Sequence, residues 1–310
     1  MIITVTPNPA WDVTYEVPAL VPGEVHRVTR AHRRLGGKGV NVARVLAALG
    51  QDAVAILPGP GGLAAEAGPG PAGTGTLALD VVPGLPAIRQ TLVVHDGDGT
   101  TTSLWEPGAE PGPGTEAALT GRVRARLGEA RGAVISGSLP PLLGPRTHAR
   151  LAALALDAGV PAVVDTSGEA LARAATVPGV VLAPNASELA QLSGASCDGL
   201  RDAVAAARAL LPAGPRAVVA TLGEDGLVAV TGDGSWHGRL ARPLAGNPTG
   251  AGDAAAAALI AGLAGARTWP GIVRDAAALS AAAVLSPVAG EADPADFARL
   301  RADVTIRKVA

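Results

Sequence analysis

The chain has 310 residues, 48% of them hydrophobic but only 2% aromatic, and a formal net charge of −2. Without a global positive field or aromatic platforms for stacking bases, neither nucleic acid nor a membrane surface is an expected partner. The single cysteine, Cys197, excludes an internal disulfide framework and a cysteine-based zinc site, which suits a reducing, cytoplasmic setting.

Met1-Ile-Ile-Thr-Val-Thr-Pro-Asn-Pro lacks a basic leader and a long apolar core, so it reads as a first strand, Ile2 to Thr6, and not as an export signal. Asn8 and Asp12 leave that strand at its carboxyl end. An amide and a carboxylate can each hold sugar hydroxyls, although both are also ordinary turn residues. Val13, Tyr15 and Val17 alternate within Asp12 to Leu35, giving this segment strand character. Leu35-Gly-Gly-Lys-Gly-Val-Asn then sets three glycines before a helix over Val40 to Leu49, so a substrate can approach the backbone closely. Lys38 is not a P-loop lysine, because the upstream glycine spacing is absent and Gly39 stands in place of Ser or Thr. Asn41, in the first turn, is placed to hydrogen-bond sugar hydroxyls or to serve as a simple polar cap.

Ala53 to Leu57 is the next strand, followed by a glycine- and proline-rich stretch, Pro58 to Gly75, expected to be a flexible loop within the domain. Ala87 to Glu106 carries a hairpin signature, with the turn Asp96-Gly-Asp-Gly99 between two strand-like runs. Together with Asp12 to Leu35 it predicts a small second sheet over the site, a candidate lid. Glu106 to Thr115 reads as a further loop.

Helices over Thr115 to Leu127, Pro145 to Ala158 and Gly199 to Leu211 then alternate with strands over Ala133 to Ser136, Ala162 to Asp165, Val180 to Ala183 and Ala217 to Thr221. Such alternation predicts a mostly parallel sheet covered on both faces, within one domain over residues 1–310. The active site of such a sheet lies outside the carboxyl ends of its strands. Ala254 to Ala266 and Ala276 to Gly290 read as Ala-rich helices shorter than the roughly 20 apolar residues of a membrane span.

The most informative run is Asn247-Pro-Thr-Gly-Ala-Gly-Asp253, directly before the first of those helices. A glycine turn at a helix start leaves backbone N–H groups unpaired and converging, which suits a phosphoryl group. A carboxylate beside that anion repels it unless it has a task, and the obvious task is to take a proton from an attacking hydroxyl. The alternative is a tight turn with Asp253 as helix cap.

The ordered set Asn8-Pro-Ala-Trp-Asp12, Gly36-Gly-Lys-Gly-Val-Asn-Val-Ala-Arg44, Ser136-Gly-Ser-Leu-Pro140, Asp165-Thr-Ser-Gly168, Pro184-Asn-Ala-Ser-Glu-Leu189, Thr221-Leu-Gly-Glu-Asp-Gly226 and Asn247 to Asp253 resembles the ribokinase-like (PfkB) sugar kinases. Within them it is most similar to the branch of 1-phosphofructokinase, tagatose-6-phosphate kinase and the minor bacterial 6-phosphofructokinase. The resemblance implies an α/β fold, a three-layer α/β/α domain with a small β-sheet lid, that uses ATP and Mg2+.

By that resemblance Asp253 is the catalytic base, and the Gly250, Ala251 and Gly252 backbone forms the anion hole. Asn185 and Glu188 organise magnesium, largely through water, with Asn185 also at the nucleotide. Thr221, Gly223 and Gly226 form the nucleotide-binding turn. Asp12, Gly37 and Asn41 contact sugar hydroxyls. Arg27, Arg30, Arg33, Arg34 and Lys38 crowd the first lid segment; most such runs are solvated, but Arg27 and Arg89 match positions this branch uses on the substrate phosphate, and Ser138 joins them. The implied substrate is a ketohexose monophosphate. A kinase of unphosphorylated sugars or nucleosides and a non-catalytic sugar-phosphate-binding protein are the alternatives. The sequence leaves the oligomeric state open; relatives often pair through their lids, and an exposed lid edge would permit a homodimer here. The chain departs from the branch at Ala183, where lysine is usual, and at Trp11, where a smaller aliphatic residue is.

Overall fold

A computed structural model describes residues 1–66 and 75–310. Residues 67–74, eight of the eighteen in the expected Pro58 to Gly75 loop, lie outside the described residues. The first half of the chain runs β1 (Ile2–Val5), β2 (Ala10–Glu16), β3 (Arg30–Gly36), α1 (Lys38–Ala48), β4 (Ala53–Gly59), α2 (Leu63–Glu66), β5 (Leu77–Pro83), β6 (Arg89–His95), β7 (Thr101–Trp105), α3 (Thr115–Arg126) and β8 (Gly132–Ser136). The second half runs α4 (Thr147–Asp157), β9 (Ala162–Asp165), α5 (Gly168–Ala174), β10 (Val181–Leu182), α6 (Ala186–Ser193), α7 (Leu200–Leu210), β11 (Ala217–Thr221), β12 (Leu227–Thr231), β13 (Gly234–Leu240), α8 (Ala251–Ala264), α9 (Trp269–Val284), α10 (Pro294–Asp303) and β14 (Val304–Val309).

Among the described residues ten strands form one sheet in the order β14-β13-β12-β11-β10-β9-β8-β1-β4-β5. From β11 to β5 every neighbour is parallel, as the βα alternation requires. β12, β13 and β14 extend one side antiparallel. This extension is not anticipated by the sequence pattern. β13 carries Gly238, where a Cβ would lie 2.6 Å from Val273 of α9, so close helix packing has removed a side chain that would mark a strand.

The parallel strands alternate between two cores. Ile2, Val134 and Val163 face one side with α1, α8 and α9, whereas Ile3, Ile135 and Val164 face the other with α3, α4, α5 and α7. Alanine dominates the first core, where Ala254 to Ala258 are all buried. It is the best helix former, and its small side chain lets α8 and α9 approach closely. α9 ends at Val284, short of the expected Gly290. Among the described residues no helix is long and apolar enough to cross a membrane.

A four-stranded sheet, β3-β2-β6-β7, stands apart from the large one. It is built from the two segments that broke the alternation, with β6 and β7 paired antiparallel across the Asp-Gly-Asp-Gly turn. β2 begins within a few residues of the end of β1, and β3 runs directly into α1. The small sheet is thereby rooted at the carboxyl edge of the large one. The chain leaves β1 toward β4 and β5 on one side and later returns to β8 on the other, which makes the β1–β8 boundary a topological switch point.

Candidate active site

Gly250 precedes α8 with φ +87, a left-handed conformation that glycine adopts without cost, and a Cβ there would lie 2.8 Å from the Gly290 amide nitrogen. The approach is held by Asn247, whose Oδ1 accepts from Thr249 N at 2.9 Å and whose Nδ2 donates to Pro287 O at 3.2 Å. Among the described residues no acceptor meets the amides of Gly252 and Asp253. Asp253 lies inside the helix and makes no cap hydrogen bond. The helix-cap alternative therefore does not describe this carboxylate, which is only 6% exposed.

Asn41 joins this carboxylate to the lid. Its Nδ2 donates to Asp253 Oδ2 at 3.2 Å and to Asp12 Oδ2 at 3.1 Å. Asp12 Oδ1 accepts from Thr91 Oγ1 of β6 at 2.6 Å, so a single relay runs from α8 through α1 to β2 and β6. Glycine makes room for it: a Cβ at Gly36 would lie 2.0 Å from Asp12 Oδ2, and one at Gly290 would lie 2.5 Å from Asn41 Oδ1. Gly37, with φ +93, turns the chain from β3 into α1.

Lys38 Nζ donates to Asp165 Oδ1 at the end of β9, at 2.7 Å. Burial works against the lysine charge, but Asp165 and Asp253 outweigh it and raise its pKa. Burial pushes the Asp253 carboxyl up to about 8; Lys38 pulls it back and Asp165 adds to the rise. Glu188 is also raised by burial, against the pull of Lys38. Asn185 and Glu188 form a capping box on α6, each side chain accepting from the other's backbone amide at 2.9 Å. The polar helix-start reading of this pair is thus realised, and it uses one oxygen of each residue.

The same group fits a hydrated magnesium ion. Among the described residues no three His, Cys, Asp or Glu side chains form a metal cage. Asp165 Oδ2, however, is buried without a hydrogen-bond partner, and Glu188 retains Oε1. Donors so few and partly engaged suit an ion that keeps much of its water shell.

Beside the start of α8 opens a cavity of about 860 Å³. Asn185, Thr221, Gly223, Gly226, Ala251 and Gly252 line it, which unites the expected nucleotide turn with the anion-binding turn. Gly226 has φ +81, and a Cβ there would lie 2.2 Å from Gly238 O, so this turn tolerates no side chain. Leu240, Leu244, Ala277, Ala281 and Val284 supply an apolar wall that the sequence motifs do not mark.

At the lid end, Arg89 Nη1 donates to Glu106 O at 2.8 Å, and burial lowers its pKa. Ser138 is exposed at the end of β8, where its Oγ accepts from Asn8 Nδ2 at 3.1 Å. Asn8, read from sequence as a holder of sugar hydroxyls, spends its amide hydrogens on Ser138 and Pro107 O instead. Arg27 lies exposed between β2 and β3, with no hydrogen bond or ion pair among the described residues. Arg30 pairs with Glu16 and Arg34 with Glu291, and Arg33 stacks 3.9 Å over the ring of Trp11. The large side chain at position 11 is accommodated as part of the core, with the arginine as its lid. Asp165 carries no role in the sequence reading, and its place at the carboxyl end of a parallel strand is the one sequence signal for it.

The family model for the pfkB family of carbohydrate kinases matches residues 79–296. The chain is 36% identical over 264 residues to 1-phosphofructokinase of Rhodobacter capsulatus, a match covering 84% of this chain and 82% of that one. It is 31% identical over 294 residues to ATP-dependent 6-phosphofructokinase isozyme 2 of Mycobacterium tuberculosis, covering 92% and 84% respectively. Phosphofructokinase-2 from Escherichia coli, solved in complex with potassium, superposes with a TM-score of 0.84 at 28% identity over 97% of this chain and 98% of that chain.

Proposed function

This chain belongs to the pfkB family of carbohydrate kinases, and from that premise we propose that it transfers the γ-phosphoryl group of ATP to a hydroxyl of a ketohexose monophosphate, giving the bisphosphate. Fructose 1-phosphate, fructose 6-phosphate and tagatose 6-phosphate are the candidate acceptors. The observation that carries the reading is the Asn41 amide shared between Asp12 and Asp253. It sets a hydroxyl-binding carboxylate and a buried base side by side, at the mouth of a helix with open amides.

In this reading Asp12, Gly37 and Asn41 orient the sugar, while Arg27, Arg89 and Ser138 select for its phosphate. Asp253 takes the proton of the attacking hydroxyl as its oxygen bonds to the γ-phosphorus and the bridging oxygen leaves with ADP. The amides of Gly250 and Gly252 receive the transferring group, the Ala251 amide being spent on Pro248 O, and Lys38 balances its charge from the Asp165 side. Asn185, Thr221, Gly223 and Gly226 seat the nucleotide. Asn185, Glu188 and Asp165 would hold magnesium through its waters, where the ion neutralises phosphate charge. The small sheet closes over the sugar as a lid and pairs two copies of the chain, all within one domain and in the cytoplasm.

A substrate panel with Mg-ATP tests this. ADP release should favour at least one of the three sugar phosphates over fructose, ribose and adenosine by roughly 100-fold in kcat/KM, the value of two charge-assisted contacts to phosphate. Preference for a free sugar or nucleoside would replace the assignment, and no ATP consumption with any acceptor would leave a binding protein.

A further inference from the structure

We infer that Asn8 fixes the polarity of Ser138, turning its hydroxyl into a dedicated hydrogen-bond donor for the acceptor's phosphate. The inference rests on the kinase reading above and adds to it a positioning residue that touches no substrate.

Asn8 is 2% exposed and sits just beyond β1, while Ser138 lies just beyond β8, so their contact spans the switch point of the sheet. Its amide orientation is dictated by its neighbours. Pro107 O, 2.9 Å away, can only accept, so the atom facing it is the nitrogen, and the second N–H of that nitrogen reaches Ser138 Oγ at 3.1 Å. Asn8 Oδ1 has no hydrogen-bond partner and faces Gly108, where a Cβ would lie 2.4 Å away. Exchanging Oδ1 and Nδ2 would set two carbonyl oxygens against each other. The hydroxyl oxygen of Ser138 is therefore held as an acceptor toward Asn8, and its one hydrogen is left to point elsewhere.

The same strap holds the cation. Arg89 Nη1 donates to Glu106 O, the residue before Pro107, and Glu106 Oε2 accepts from Gln90 N at 2.7 Å. A continuous chain of contacts thus runs from Arg89 through Glu106 and Pro107 to Asn8 and Ser138. It ties to one strap a guanidinium and a hydroxyl whose hydrogen is free to donate. A ligand that only accepts, such as a phosphate monoester, satisfies both groups, whereas a neutral sugar hydroxyl leaves the guanidinium unmatched.

A double-mutant cycle on the full chain tests the coupling. Asn8→Ala and Ser138→Ala should each raise KM for the preferred sugar phosphate by roughly tenfold, the cost of one charge-assisted hydrogen bond. KM for ATP should stay within about twofold and kcat should fall less than about threefold, since neither residue touches the transferring group. The double variant should be no worse than Ser138→Ala alone, because orientation is irrelevant once the donor is gone. Asn8→Asp, which keeps the shape but presents an acceptor that captures the Ser138 hydrogen, should raise KM at least as much as Asn8→Ala. Additive losses in the double variant, or equal rises in KM for ATP and for the sugar phosphate, would overturn the inference and leave the kinase reading standing. A wild-type enzyme active only on free sugars would overturn both.

Discussion

Asp253 is a carboxylate kept out of water, and its two roles pull apart. With its pKa raised from an ordinary carboxylate value to about 8, the folded protein holds a proton that the unfolded chain releases at about pH 4. Stability therefore falls as pH rises from about 4 to about 8 and levels off above, where the buried charge is present. Asp253→Asn removes that charge, so its melting temperature should exceed that of the wild type at pH 9 and match it near pH 4. The same variant should bind nucleotide yet lose about 10²- to 10⁴-fold in kcat, the usual share of a general base. Unimpaired turnover would remove Asp253 from that role.

Lys38 supplies the neighbouring test. Its ammonium favours the ionised form of Asp253, so its removal should push that carboxyl higher still. In the free wild-type enzyme kcat/KM should climb with pH through about 8, and in Lys38→Met the climb should move to higher pH. A profile in the same place would mean that Lys38 is too well screened to matter.

Among the elements, α8 is decisive because its first turn supplies both the open amides and the base. That turn depends on Gly250 at φ +87, with Gly290 N within 2.8 Å of any added Cβ. In Gly250→Ala the turn must shift, carrying the Gly252 amide and Asp253 with it. A displacement near 1 Å costs on the order of 10²-fold in rate, with KM for ATP rising as well. Circular dichroism should show the helices intact, and wild-type turnover would refute the claim that this turn aims the anion hole.

On the scale of the whole molecule, the small sheet has two open edges, β3 and β7. β7 ends in Leu104 and Trp105, which are 58% and 69% exposed. An open strand edge beside exposed apolar side chains is an aggregation hazard unless something covers it, and a second copy through the lid is the cover proposed here. Sedimentation should find a dimer, and Trp105→Glu should shift it to a monomer whose melting temperature changes little. A wild-type monomer at micromolar concentration would rule out pairing by this face.

Six of the seven parallel strands were legible because each, buried on both faces, reads as a short Val/Ile/Ala run, whereas the edge strand β5, half exposed and carrying Asp80, does not. The lid was legible because alternation and an Asp-Gly turn act locally. The antiparallel strands β12 to β14 were not, and in β13 Gly238 answers to Val273 of α9 and not to strand propensity. At the site, Asp253 and the glycine turn were readable because the helix-start chemistry lies within seven residues of sequence. What only the tertiary structure decided are the meetings of distant residues: Asn41 between Asp12 and Asp253, Lys38 on Asp165, and Asn8 beneath Ser138. Separations of 29 to 212 residues divide those partners. A hydrogen bond depends on tenths of an ångström between side chains that only the packed sheet brings together, so sequence can name the donors and acceptors without pairing them.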